Sequence, residues 1–166
     1  MLSEWIRRVM SRDMASLGAQ IEAYPDDDAV WKLAPGIANS AGTLALHLAG
    51  NIEAYVGAGL GGSGYVRDRE AEFSTRDLSR ADILSRVESA RAALDAALAK
   101  LGDVDLKAEY PLEVAGVRLS TGQFLVHLAG HLAYHLGQVD YHRRALAGGA
   151  SIAGVQSIPA LTGGGG

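Results

Sequence analysis

Four of the chain's five histidines stand in one stretch, HLAGHLAYHLGQVDYH, from His127 to His142, and the fifth is His47. An imidazole that is neutral near pH 7 can fill a core, carry a proton or hold a divalent ion, and spacing decides among these. At about 100° per residue, positions 124, 128, 131, 135, 138 and 142 share one narrow arc of a helix. With Phe124 and Leu128 as core residues, His131, His135, Gln138 and His142 are expected to face inward. His127 falls at the edge of that arc beside Tyr134, and Asp140, Arg143 and Arg144 point away. The same arithmetic sets His47 and Asn51 beside the apolar line of Leu44, Leu48 and Tyr55 on another helix.

Several buried imidazoles side by side need partners or a shared ligand, because burial without hydrogen bonds is costly. Neutral imidazole is a preferred ligand for zinc, iron and nickel, and His131 and His135, at i and i+4, lie a turn apart on one helix face. With His47 as third ligand they form a set that leaves positions open for water or substrate. The ion could be zinc, nickel or iron. The competing reading is an empty site whose histidines bond to one another and to Gln138. The zinc-protease motif is excluded, since Leu132 follows His131 where that motif has a glutamate base.

Four helical segments are expected to position these residues. The first runs from Ser3 to about Tyr24 and stops at Pro25 and the Asp26 to Asp28 cluster. The second follows Asn39 or Ser40 as N-cap and ends at glycines 57 and 59. The third starts near Ser79, paired with Asp82 in a capping-box pattern, and ends at Gly102; the fourth starts with Ser120 and Gln123 in the same pattern and reaches Ala147. The fold class predicted is therefore all-α, a four-helix bundle with long second-to-third and third-to-fourth connections. Segment LKAEYPLEVAGVRLS, within the latter connection, is open to a short β-hairpin. Residues 1–147 form one domain, and 148–166 an extended or flexible tail.

Composition narrows function. The 166 residues carry a net charge of −4 and no cysteine. Disulfides, thiolate metal sites and a cysteine nucleophile are excluded. No basic patch interleaved with aromatics suggests nucleic acid, and no apolar run approaches a membrane span or a signal peptide, so a cytoplasmic location is expected. GAGLGG matches GxGxxG but follows a helix instead of a strand, which removes the dinucleotide reading. GGSGY lacks the context of a nucleophile elbow. The charged run YVRDREAEF reads foremost as a solvated turn with local ion pairs; otherwise Arg67 and Arg69 are candidates for a substrate entrance, suited to an anionic or carboxylate-bearing molecule. Asn51 and Gln138 are either partners that orient the ligands or satisfied core amides.

The segments PGIANSAGTLALHLAGN, GYVRDREAEF and HLAGHLAYHLGQVDYHR resemble the DinB-like superfamily, which includes YfiT-type thiol transferases and mycothiol-dependent maleylpyruvate isomerase. The resemblance spans Trp5 to about Ala147. It implies a helical metal-binding fold, with His47, His131 and His135 as ligands and Gly137 and Gln138 as the pair after the last one. The isomerase branch is similar but has glutamate where His131 stands, which speaks against that activity. Expected function is a metal-dependent enzyme, a hydrolase or thiol S-transferase acting on a small molecule, with a low-molecular-weight thiol as candidate cosubstrate. No residue is assigned as catalytic, and His127 or Tyr134 is a candidate proton carrier. The alternative is a non-catalytic stress-response or binding protein whose metal site is closed by His127 or His142. The resemblance and the apolar first helix together suggest a homodimer.

Overall fold

The computed structural model describes residues 1–162 and is all-helical, with no strand among them; the last residues of the tail, 163–166, lie outside the described residues. Helix α1 spans Leu2–Glu22, α2 Ala41–Ile52, α3 Arg69–Ser74, α4 Arg80–Leu98 and α5 Thr121–Arg143. Helix α2 continues without a break into a π-helical turn, Glu53–Ala58. None of these helices is long and apolar enough to cross a membrane.

Local side-chain chemistry sets the starts. Ser40 accepts the Thr43 amide, and Ser79 with Asp82 and Ser120 with Gln123 form complete capping boxes. Each satisfies backbone donors that would otherwise point into nothing. Helices α1 and α2 each pack against both α4 and α5. The buried residues between them include Met10, Met14 and Leu17 of α1, Leu44, Leu48 and Ile52 of α2, Ile83, Val87 and Leu94 of α4, and Leu125, Leu128, Leu132 and Val139 of α5.

Three sequence expectations change. The polar connection 57–78 is not one long loop, because it holds the π-helical turn and α3. Between α4 and α5 the chain makes only two isolated bridges, Glu109 with Ser120 and Val114 with Val117, instead of a hairpin of strands. Helix α5 presents Leu125, Leu128, Leu132, Leu136, Val139 and Arg143 to the core, whereas His131, His135 and Gln138 of the expected inward arc are not buried. Arg143, expected to point away, is buried, giving Nε to Gln20 and Nη2 to the Ala150 carbonyl. At 100° per residue the apolar stripe and the line of His131 and His135 are roughly 90° apart. The histidines therefore stand on a flank of α5, at the margin of the core.

Residues after α5 return along α1, where Arg8 holds the Leu161 carbonyl and Gln156 donates to Asp13. Near the start of α2, Trp31 donates from its indole to the Leu78 carbonyl at 2.9 Å and lies flat over Gly42. A Cβ on Gly42 would come within 2.6 to 2.8 Å of three ring carbons. Alanine is the better helix former by about 1 kcal/mol, but the ring is fixed by its own hydrogen bond and overpacking costs about 1–3 kcal/mol. Gly42→Ala should therefore lower the melting temperature, by roughly 2–6 °C, in a thermal scan; a rise would mean that Trp31 moves freely.

Candidate metal centre

His47, on α2, meets His131 and His135 of α5 so that one ligand nitrogen from each lies within 4.8 Å of the others. His47 is buried, and the other two are partly exposed. Two distant segments thus bring three imidazoles to one point on the flank of the core.

Hydrogen bonds determine which nitrogen each ring has free. His47 Nδ1 lies 3.0 Å from Glu72 Oε2. A carboxylate can only accept, so Nδ1 carries the proton and Nε2 is left with its lone pair. His135 Nδ1 lies 2.6 Å from Gln138 Oε1, and with that proton on Nδ1, Nε2 is again free. His47 Nε2 is 3.2 Å from His131 Nε2. In the metal-free protein one proton, on His131 Nε2, has to lie between them, since two lone pairs at that distance repel. An ion can replace that proton: two nitrogens each about 2.1 Å from one metal sit roughly 3.0–3.4 Å apart. His131 would then carry its proton on Nδ1. That atom is buried without a partner, and so is Asn51 Oδ1. His47 pairs with His131, while Tyr55 meets Phe124 at 5.1 Å, so α2 and α5 run antiparallel here and Asn51, between 47 and 55, lies level with 127–131. One orphan is an acceptor; the other becomes a donor when metal binds. The donor set and its surroundings fit a divalent ion.

The contact of Glu72 with His47 is what sequence reasoning missed. Glu72 is buried, and Arg67 grips it with Nε at 2.6 Å and Nη2 at 2.8 Å. Burial alone would raise its pKa, but the hydrogen bonds from His47 and Arg67 and the charge of Arg67 outweigh that and hold the carboxyl below its usual range. The run YVRDREAEF is thus a solvated turn only in part: Tyr65, Val66, Asp68, Arg69 and Glu70 are exposed and Arg67 pairs locally with Glu72, but Glu72 itself is buried. Asp68 caps α3 by accepting the Ala71 amide, and the Phe73 ring packs on His47 at 4.9 Å. Room for the carboxylate comes from Gly50, where a Cβ would overlap Glu72. Arg69 does not line the centre: it is exposed and its guanidinium lies over Phe73.

Other predicted residues are sorted by exposure. Gln138 faces solvent instead of the core, yet orients His135. His127 is exposed and stacked 6.3 Å from His131, outside the group of three; Tyr134 is exposed with its ring against His135. His142 is no ligand. It is buried elsewhere, with Nδ1 2.7 Å from the Tyr24 hydroxyl and Nε2 2.8 Å from the Lys32 carbonyl, tying α5 to the connection between α1 and α2.

A family model of the DinB superfamily matches residues 11–139. The chain belongs to the DinB superfamily. Among solved structures, a DinB-like protein from Bacillus cereus ATCC 10987 is similar, with a TM-score of 0.64 at 19% identity, covering 86% of this chain and 93% of that one. No curated protein matches.

Protonation of this DinB centre has a definite sign. Burial, then the neighbouring His135, His47 and His127 and the charge of Arg67, push His131 down to about 4, and burial also lowers His135 against the pull of Gln138. Without metal, the unfolded chain takes up protons on these groups near pH 6.5, whereas folded His131 waits until about 4. Their contribution to stability is therefore complete above about pH 6.5, falls as pH drops and stops falling near the folded pKa. Partial exposure limits the loss to about 1–2 kcal/mol. Urea melts of chelated protein from pH 7 to 4.5 should show this slope, and His131→Gln should flatten it; superimposable profiles would contradict the assignment.

Proposed function

We propose that this DinB protein is a metal-dependent enzyme of hydrolase or thiol-transferase type, acting on a small molecule. The observation that carries the reading is the convergence of three imidazoles, two with Nδ1 already engaged, at a partly exposed margin of the core. No fourth histidine or carboxylate joins the group among the described residues, which favours an accessible centre over a closed structural one. Family membership and the packing of α1 and α2 against α4 and α5 support reading the four long helices as a bundle of the DinB kind.

His47, His131 and His135 would hold the ion. A divalent cation bound by neutral ligands supplies Lewis acidity, enough to make a water or a low-molecular-weight thiol a nucleophile near neutral pH. The chain's own residues do the rest. Glu72 and Gln138 fix the tautomers of His47 and His135, and Asn51 is assigned the same duty for His131. His127, exposed beside His131, is placed to exchange a proton with solvent.

Cobalt(II) substitution tests this directly. The cobalt-loaded protein is expected to show visible ligand-field bands, and addition of a small thiol should produce a sulfur-to-metal charge-transfer band in the near ultraviolet. A spectrum indifferent to both thiol and pH would point to a closed, non-catalytic centre. Failure to take up cobalt, zinc, nickel or iron would remove the reading altogether.

A further inference from the structure

Beside the centre, between the π-helical turn and the α4 to α5 connection, lies a cleft of about 580 Å³ lined by Tyr55, Tyr65, Arg67, Pro111 and Leu112. Arg67 belongs to both places, since its Nη2 is 3.3 Å from His47 Nδ1. Glu72 occupies Nε and Nη2, so Nη1 is the donor left for a ligand. The guanidinium carbon lies 5.5 Å above the Tyr55 ring. That wall is held from behind, where the Tyr110 hydroxyl donates to the Tyr55 carbonyl at 2.7 Å. Tyr55 in turn meets Phe124, which heads the row Phe124, His127 and His131 on α5. The cleft thus adjoins the centre through Arg67, and its Tyr55 wall backs onto Phe124.

Its chemistry is specific. Two phenol rings, a proline and a leucine make flat apolar walls, and one half-buried cation sits at one end. Burial raises the Tyr65 pKa, so its hydroxyl remains a neutral donor at physiological pH. The positive charge is already shared with Glu72, so a single negative charge is matched here and a dianion such as phosphate would meet repulsion from the carboxylate.

We propose that this cleft is the recognition site for a small planar carboxylic acid, its carboxylate on Arg67 Nη1 and its flat body between Tyr55 and the Pro111 and Leu112 segment. Its carboxylate end then lies beside His47, on the Nδ1 side of that ring. Catalytic relevance of the site rests on the enzyme reading above, whereas binding does not.

The test is a titration of full-length protein, both zinc-loaded and chelated, with benzoate, benzamide and inorganic phosphate, followed by amide chemical shifts. Benzoate is expected to shift Tyr55, Tyr65 and Leu112 saturably in both forms, with benzamide and phosphate at least about ten-fold weaker, equivalent to 1.4 kcal/mol. Leu112→Trp, on an exposed position, fills the cleft and leaves Arg67, Glu72 and His47 themselves unsubstituted. It should weaken benzoate about ten-fold and leave zinc affinity by calorimetry unchanged. Equal binding of benzoate and benzamide, tighter phosphate, shifts confined to other residues, binding only with zinc present, or an indifferent Leu112→Trp would each overturn the proposal. Benzoate bound in the cleft of a protein that takes no metal would leave the cleft assigned and remove the enzyme reading instead.

Discussion

His47→Ala is expected to abolish the response of the protein to zinc. In the wild type, zinc at about a thousand times its dissociation constant stabilises the folded state by about 4 kcal/mol, which for a chain of this length raises the melting temperature by roughly 8–16 °C. His47 is the one member of the three-histidine group that comes from α2, so its loss leaves only the i, i+4 pair on α5. Without a third nitrogen the affinity should fall at least about a thousand-fold, or 4 kcal/mol, and the same zinc concentration should hardly move the transition. The metal-free variant should melt close to the metal-free wild type, because the Arg67 and Glu72 pair persists without the imidazole. Calorimetric scans with zinc and with chelator check both halves. A variant that still gains the full zinc-dependent shift would place the ion elsewhere.

Sequence reasoning reached the three histidines that cluster because HxxxH spacing is local geometry and because His47 repeats the apolar spacing of its own helix. Caps were readable for the same reason: Ser40, Ser79 and Ser120 bond to backbone three residues away. The rotation of α5 was not readable. In HLAGHLAYHL both the histidines and the leucines recur every four residues, so two faces compete for the core and only packing against α1 and α2 selects the leucines. Helix α3 escaped notice because six residues are too few to be stable alone. It forms through what it touches, with Phe73 on His47 and Glu72 over Gly50. A charged segment reads as solvent-facing until the missing side chain of Gly50, in a different helix, is seen to make room for its carboxylate.

That dependence makes Glu72 the second test with a large expected effect. Glu72→Ala removes the acceptor from His47 Nδ1 and should weaken zinc binding about 10–100-fold. It also strands the Arg67 guanidinium, whose side chain is only 16% exposed. Breaking a buried pair costs about 3–5 kcal/mol; with Arg67 able to reach solvent, about 2–3 kcal/mol is expected, or roughly 4–12 °C in a melting curve. Glu72→Gln divides the two roles, since one amide oxygen can serve His47 or Arg67 but its amino group suits neither, so intermediate losses should follow. Gly50→Ala is the sharper instrument, because it deletes no charge and no ligand and improves helix propensity in α2 by about 1 kcal/mol. Its Cβ would nevertheless overlap the Glu72 carboxylate, and displacing that group should lower zinc affinity towards the Glu72→Ala value. Zinc binding at wild-type strength in Gly50→Ala, measured by isothermal calorimetry beside Glu72→Ala, would show that the carboxylate is not what holds His47 in place.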